Sequence, residues 1–180
     1  MLIPVVGSAG ENKESAKMTT MLKKVDGKDV SFEDIVSAVS SRTDAGNPLV
    51  LIGPNCAELS TLLKAIRNRI AMADDGRDVM STRLEEFRPR YIAAMQKKLL
   101  GGFRRKMRNA DVLIVEEFEK LERGCMIQEE LVALMADYND VGKQVIVTSE
   151  VPLDKIRGCS RTNIRIAALS AAAESYFVSC

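Results

Sequence analysis

Three short runs of almost unbroken aliphatic side chains, at residues 49–53, 111–116 and 144–149, constrain this chain more than any other feature. A strand with one wet face alternates apolar and polar residues, whereas a strand covered on both faces can be apolar throughout. Amphipathic stretches of helical length separate the runs. The combination predicts an α/β fold, a parallel sheet of four or five strands sandwiched between helices. Residues 78–81 are a weaker strand candidate, and residues 176–180 supply a last one.

The helical stripes are explicit. Leu59, Leu62, Leu63, Ile66 and Ile70 fall on one face of a helix, and Leu131, Leu134, Met135 and Tyr138 on one face of another. Leu84, Phe87, Tyr91, Met95 and Leu99 form a third stripe, in which Pro89 is expected to kink or restart the helix. Residues 8–30 are polar and rich in Lys, Ser and Gly, which predicts a mobile arm or a loose connection rather than core. Ser31 can then cap a short helix carrying Phe32, Ile35, Val36 and Val39. The expected division is an N-terminal arm and short helix over 1–46, followed by one core domain over 47–180.

Composition removes several functional classes. Histidine is absent, which removes the commonest general base and the usual activator of a serine or cysteine nucleophile. The four cysteines are scattered without a Cys-x-x-Cys pair, so no metal site is expected. Lys+Arg 26 against Asp+Glu 25 leaves a net charge of +1, and attraction to nucleic acid or an anionic membrane would need a local patch. No apolar run reaches the ~20 residues of a membrane span and the N-terminus lacks a signal-peptide pattern, so a cytoplasmic location is expected.

The stretch "LVLIGPNCAELSTLLKAI" opens like a phosphate-binding loop between a strand and a helix. A working loop, G-x-x-x-x-G-K-[ST], wraps backbone N–H groups around phosphate and sends a lysine to the terminal phosphates. Here the frame is Gly53, Pro54, Asn55, Cys56, Ala57, Glu58, Leu59 and Ser60. The first glycine and the final hydroxyl are present. Glu58 stands in place of the second glycine and Leu59 in place of the lysine. Each lost charge-assisted hydrogen bond to phosphate costs roughly 1.5 to 3 kcal/mol, before repulsion from the carboxylate. The free N–H groups of a helix start still attract anions, which leaves weak ATP or ADP binding, and magnesium with it, open.

"NPLVLIGPNCAELSTLLKAI" resembles the start of the ATPase domain of the bacterial replication initiator DnaA. "FRRKMRNADVLIVEEFEKL" is similar to the segment leading into that family's Walker B strand, and "QEELVALMADYNDVGKQVIVTSEVP" to its next helix and sensor 1 strand. The resemblance covers about residues 47–156, with helicase loaders and other AAA+ proteins as further relatives. It implies a three-layer P-loop NTPase core with a five-stranded parallel sheet. It also places Gly53 to Ser60 on the Walker A loop, Glu116 and Glu117 on the paired Walker B acids, and Glu150 near sensor 1. The family's arginine-finger segment has no convincing counterpart after Pro152, Arg157 and Arg161 being only loose candidates. The helical lid over adenine is expected to be absent.

A core that keeps its sheet while losing lysine, lid and finger implies a degenerate ATPase without catalytic residues or cofactor. Its expected role is to bind a protein partner, DnaA or another AAA+ replication factor, and so modulate initiation. One alternative is a single-stranded nucleic-acid module using Lys97, Lys98, Arg104, Arg105, Lys106 and Arg108, set around a Gly101-Gly102 break with Phe103 the only aromatic nearby. The other is an ATP-binding switch without hydrolysis.

Overall fold

Strands whose two faces are both apolar need a cover on each side, and the architecture supplies it. The computed structural model describes residues 22–24, 28–41, 46–54, 57–72, 76–121 and 125–178. Among these, the strands are β1 (Leu22–Lys24), β2 (Asp29–Val30), β3 (Leu49–Ile52), β4 (Val79–Arg83), β5 (Val112–Glu116), β6 (Gln144–Ser149) and β7 (Glu174–Val178). The helices are α1 (Phe32–Ser41), α2 (Ala57–Met72), α3 (Leu84–Gln96), α4 (Leu100–Asn109), α5 (Cys125–Asp140) and α6 (Ser160–Ala172). The strands lie in the order β2-β1-β7-β3-β6-β5-β4. The five strands from β7 to β4 are parallel, as expected.

Alternate residues of the central strands enter two separate cores. On one face Leu49, Leu51, Val112, Ile114 and Ile146 pack against the α2 stripe, with Phe32, Ile35, Val36 and Val39 of α1 in the same cluster. On the other, Val50, Ile52, Leu113, Val115, Val145 and Val147 meet Leu84, Phe87 and Tyr91 of α3, Met107 of α4, the α5 stripe and Ile166 and Leu169 of α6. Helix α1 is therefore a layer of the core, although the sequence reading groups it with the arm. Its start is capped reciprocally: the Asp34 N–H donates to Ser31 Oγ at 3.1 Å, and the Ser31 N–H to Asp34 Oδ2 at 3.2 Å.

Three expectations need correction. Leu22–Lys24 does not belong to a loose arm, because it pairs antiparallel with β7 and with β2, forming a ribbon on the sheet edge. Backbone pairing is blind to side-chain polarity, which is why a polar stretch can join a sheet. Pro89 does not restart α3, which runs through it from Leu84 to Gln96. The break falls instead at residues 97–99, where Lys98 takes a left-handed φ of 57°, and Gly101 and Gly102 lie inside the first turn of α4.

Candidate functional site

The C-terminal ends of β3, β5 and β6 converge with the N-terminus of α2, the place where open parallel sheets carry their ligands. Gly53, Leu59, Ser60, Glu116, Glu117, Thr148 and Glu150 line one cleft there, so the structure brings together most of the residues expected from the sequence. Asn55 and Cys56 lie outside the described residues. Pro54 and Ala57 are exposed and Glu58 is half-buried.

The cleft is small, about 20 Å³, which is room for about one water. Gly53 donates its N–H to the Ser149 carbonyl at 3.0 Å, and a Cβ on it would stand 2.5 Å from the Val178 carbonyl oxygen. Leu59 is 4% exposed and belongs to the core between α2 and the sheet. Ser60 faces solvent.

The two acids at the end of β5 are occupied from within the chain. Glu116 sits in register with Arg83 of β4 and two residues beyond Ile114, on the face covered by α2. Its Oε1 accepts from the Arg67 guanidinium and, at 2.7 Å, from the Ser81 hydroxyl. Its Oε2 accepts from Arg83 Nε at 3.3 Å. Burial alone would push this carboxyl up, but the Ser81 hydrogen bond and the Arg67 and Arg83 guanidinium groups outweigh it and hold the pKa below the ordinary glutamate value. Glu117 takes a left-handed backbone, φ 61°, donates its N–H to Thr148 Oγ1 at 3.1 Å, and accepts from Lys120 Nζ at 2.6 Å.

Glu150 is exposed, and its described hydrogen bond runs through its backbone N–H to Glu119 Oε2 at 3.1 Å. Of the loose finger candidates, Arg157 Nη1 donates to the Asp154 carbonyl at 2.6 Å, and Arg161 lies 3.7 Å from Glu129. Arg67, Ser81, Arg83, Lys120 and Thr148 were not singled out from the sequence. Arg67 left a trace there, because it follows Leu59 by eight residues and Leu63 by four, placing a cation on the apolar face of α2.

The basic segment divides into two sets. Arg104 forms a two-pronged pair with Glu130 at 2.8 and 2.6 Å, and Arg108 pairs with Asp137 at 2.6 Å, so both hold α4 against α5. Lys97, Lys98, Arg105 and Lys106 are exposed and enter no ion pair among the described residues. Phe103 is half-buried and packs edge-on against Phe87 and Tyr91, with ring centroids 5.6 and 6.0 Å away. No described helix is long and apolar enough to cross a membrane.

Comparison with known proteins places this geometry. Residues 19–166 match the family described as the bacterial DnaA ATPase domain. The chromosomal replication initiator protein DnaA of Helicobacter hepaticus is 28% identical over 120 residues, a match covering 67% of this chain and 26% of that protein. The chain thus spans about a quarter of that relative's length. Domain III of the Thermotoga maritima replication initiation protein DnaA superposes with a TM-score of 0.71 at 21% identity, covering 82% of this chain and 60% of that one. A replication initiator DnaA bound to AMPPCP and single-stranded DNA gives a TM-score of 0.69 at 18% identity, covering 82% and 45%.

Proposed function

The chain belongs to the bacterial DnaA ATPase-domain family, and from that membership we propose that it is a non-catalytic core of this family that binds a replication protein and so modulates initiation. Its partner on this reading is DnaA itself or another AAA+ replication factor, met in the cytoplasm. The observation that carries the reading is the state of Glu116, whose carboxylate is already neutralised by Arg67 and Arg83. A magnesium ion prefers near-octahedral oxygen ligands and would have to displace both guanidinium groups to reach that carboxylate. The burial of Leu59, where the loop would need a cation, and the small cleft of about 20 Å³ further support this reading.

Titrating the purified chain with DnaA from the same cell, and reading complex formation by size-exclusion chromatography with light scattering, tests the partner. A complex of fixed stoichiometry is expected. Isothermal calorimetry with ATP and magnesium tests the site, and a Kd tighter than about 10 μM would favour the nucleotide-switch alternative instead.

A second reading is favoured by one observation. Lys97 and Lys98 between α3 and α4, and Arg105 and Lys106 within α4, are four exposed cations that enter no ion pair among the described residues. Those cations suit phosphates of a single strand, in keeping with the single-stranded DNA held by the DnaA structure above. With Phe103 half-buried against Phe87 and Tyr91, such binding would rest on charge more than on stacking.

A further inference from the structure

Resting on the reading of a dismantled nucleotide site, we infer that Arg67 is a built-in counter-cation, which closes the site to a metal–nucleotide complex and frees the fold from needing one. The Glu116 side chain is 13% exposed, so it has given up most of its water. A carboxylate in that position needs replacement donors or it drives the surrounding structure apart. Arg67 is such a donor.

Helix geometry explains how. Arg67 follows Leu63 by four residues, at the edge of the α2 stripe that packs on the sheet, so its side chain can reach across to β4 and β5. Its guanidinium binds Glu116 and, at 2.6 Å, the Ser81 hydroxyl, which itself donates to Glu116. One cation therefore ties α2 to two strands. Arg83 is the weaker partner, with a 3.3 Å contact and a side chain 51% exposed against 39% for Arg67. Arg67 Nε is buried with no hydrogen-bond partner, a desolvation penalty that marks the pairing with Glu116 as what holds the side chain there. Two acids at this strand end are thus met by three cations, Arg67 and Arg83 on Glu116 and Lys120 on Glu117.

The test is a double-mutant cycle read by thermal unfolding of the full chain at neutral pH. Arg67→Met keeps the alkyl stem and removes the charge, and it is expected to lower Tm by about 5 °C. Glu116→Gln should lower it less. The combination should cost no more than Arg67→Met alone, because the carboxylate stranded by the first change is gone in the second. Arg67→Lys should retain most of the wild-type Tm. Should Arg67→Met fail to fold, Arg67→Lys with Glu116→Gln closes the same cycle at smaller amplitude. Losses that simply add would overturn the inference, since they would mean that Arg67 acts through its stem alone. A wild-type Tm raised by millimolar MgATP would overturn both the reading of the site and the claim that Arg67 closes it, whatever the cycle gives. Additive losses would leave the partner-binding reading untouched.

Discussion

Glu117, one residue past the end of β5, donates its backbone N–H to the hydroxyl of Thr148 on β6 at 3.1 Å while holding φ at 61°. A left-handed backbone is costly for a residue with a side chain, so something must hold it there. Thr148 is 3% exposed, and its hydroxyl is that anchor. Thr148→Val keeps the shape and removes the acceptor. It is expected to cost about 1 to 3 kcal/mol in urea denaturation, with Thr148→Ser close to wild type.

Returning a lysine to the loop should not return the nucleotide. Leu59 is 4% exposed within the α2 core, so Leu59→Lys trades apolar burial for a charge that must find its way out. Stability should fall by about 2 kcal/mol. Calorimetry should still give ATP binding weaker than about 100 μM, because Arg67 and Arg83 continue to hold Glu116.

Acid should find Glu116. Its folded pKa lies below the ordinary value of 4.5, so its contribution is fully present above that value and is lost as pH falls beneath it through the folded pKa. Urea midpoints measured between about pH 6 and 3 should therefore drop less steeply for Glu116→Gln than for wild type in the acid part of the range. Parallel curves would remove Glu116 from the acid response.

If the exposed cations hold single-stranded DNA, the two sets of cations should behave differently. Replacing Lys97, Lys98, Arg105 and Lys106 with alanine should flatten the salt dependence of anisotropy titrations, removing a slope of about 3 in log K against log salt, roughly 0.7 for each phosphate contact. Arg104→Ala and Arg108→Ala should instead lower Tm, since those side chains pair with Glu130 and Asp137.

Gly53→Ala should destabilise the chain although the substitution is small. The new methyl would stand 2.5 Å from the Val178 carbonyl oxygen, which is backbone and cannot swing aside. A loss of about 1 to 3 kcal/mol is expected by denaturant unfolding, and an unchanged midpoint would mean that the end of β7 yields freely.

Most parts of the fold that repeat a pattern were readable from the chain, although the stripe begun by Leu84, Phe87 and Tyr91 stops there, with Met95 exposed and Leu99 exposed beyond the end of α3. Gln144–Ser149 coincides with the expected third apolar run, and every member of the α2 and α5 stripes is buried. The parts fixed by backbone pairing were not. Leu22–Lys24 joins the sheet through main-chain hydrogen bonds, which leave no mark in its composition. The positions of Gly53, Glu116, Glu117 and Glu150 in one place followed from the family resemblance, but what holds them did not. Arg83 reaches Glu116 through strand register, and Ser81 and Thr148 act through partners 35 and 31 residues away. Only Arg67 carried a local sign, a charge on an otherwise greasy helix face.

The ribbon of β1 and β2 has a consequence for handling this protein. By lying along β7 it leaves Asp29–Val30, two residues long, as the outermost strand on that side among the described residues, and so short a rim gives another molecule little to zip onto. A truncation beginning at Phe32 would bare the outer edge of β7 along Tyr176–Val178, and such a shortened chain should turn cloudy on concentration where the intact one stays clear.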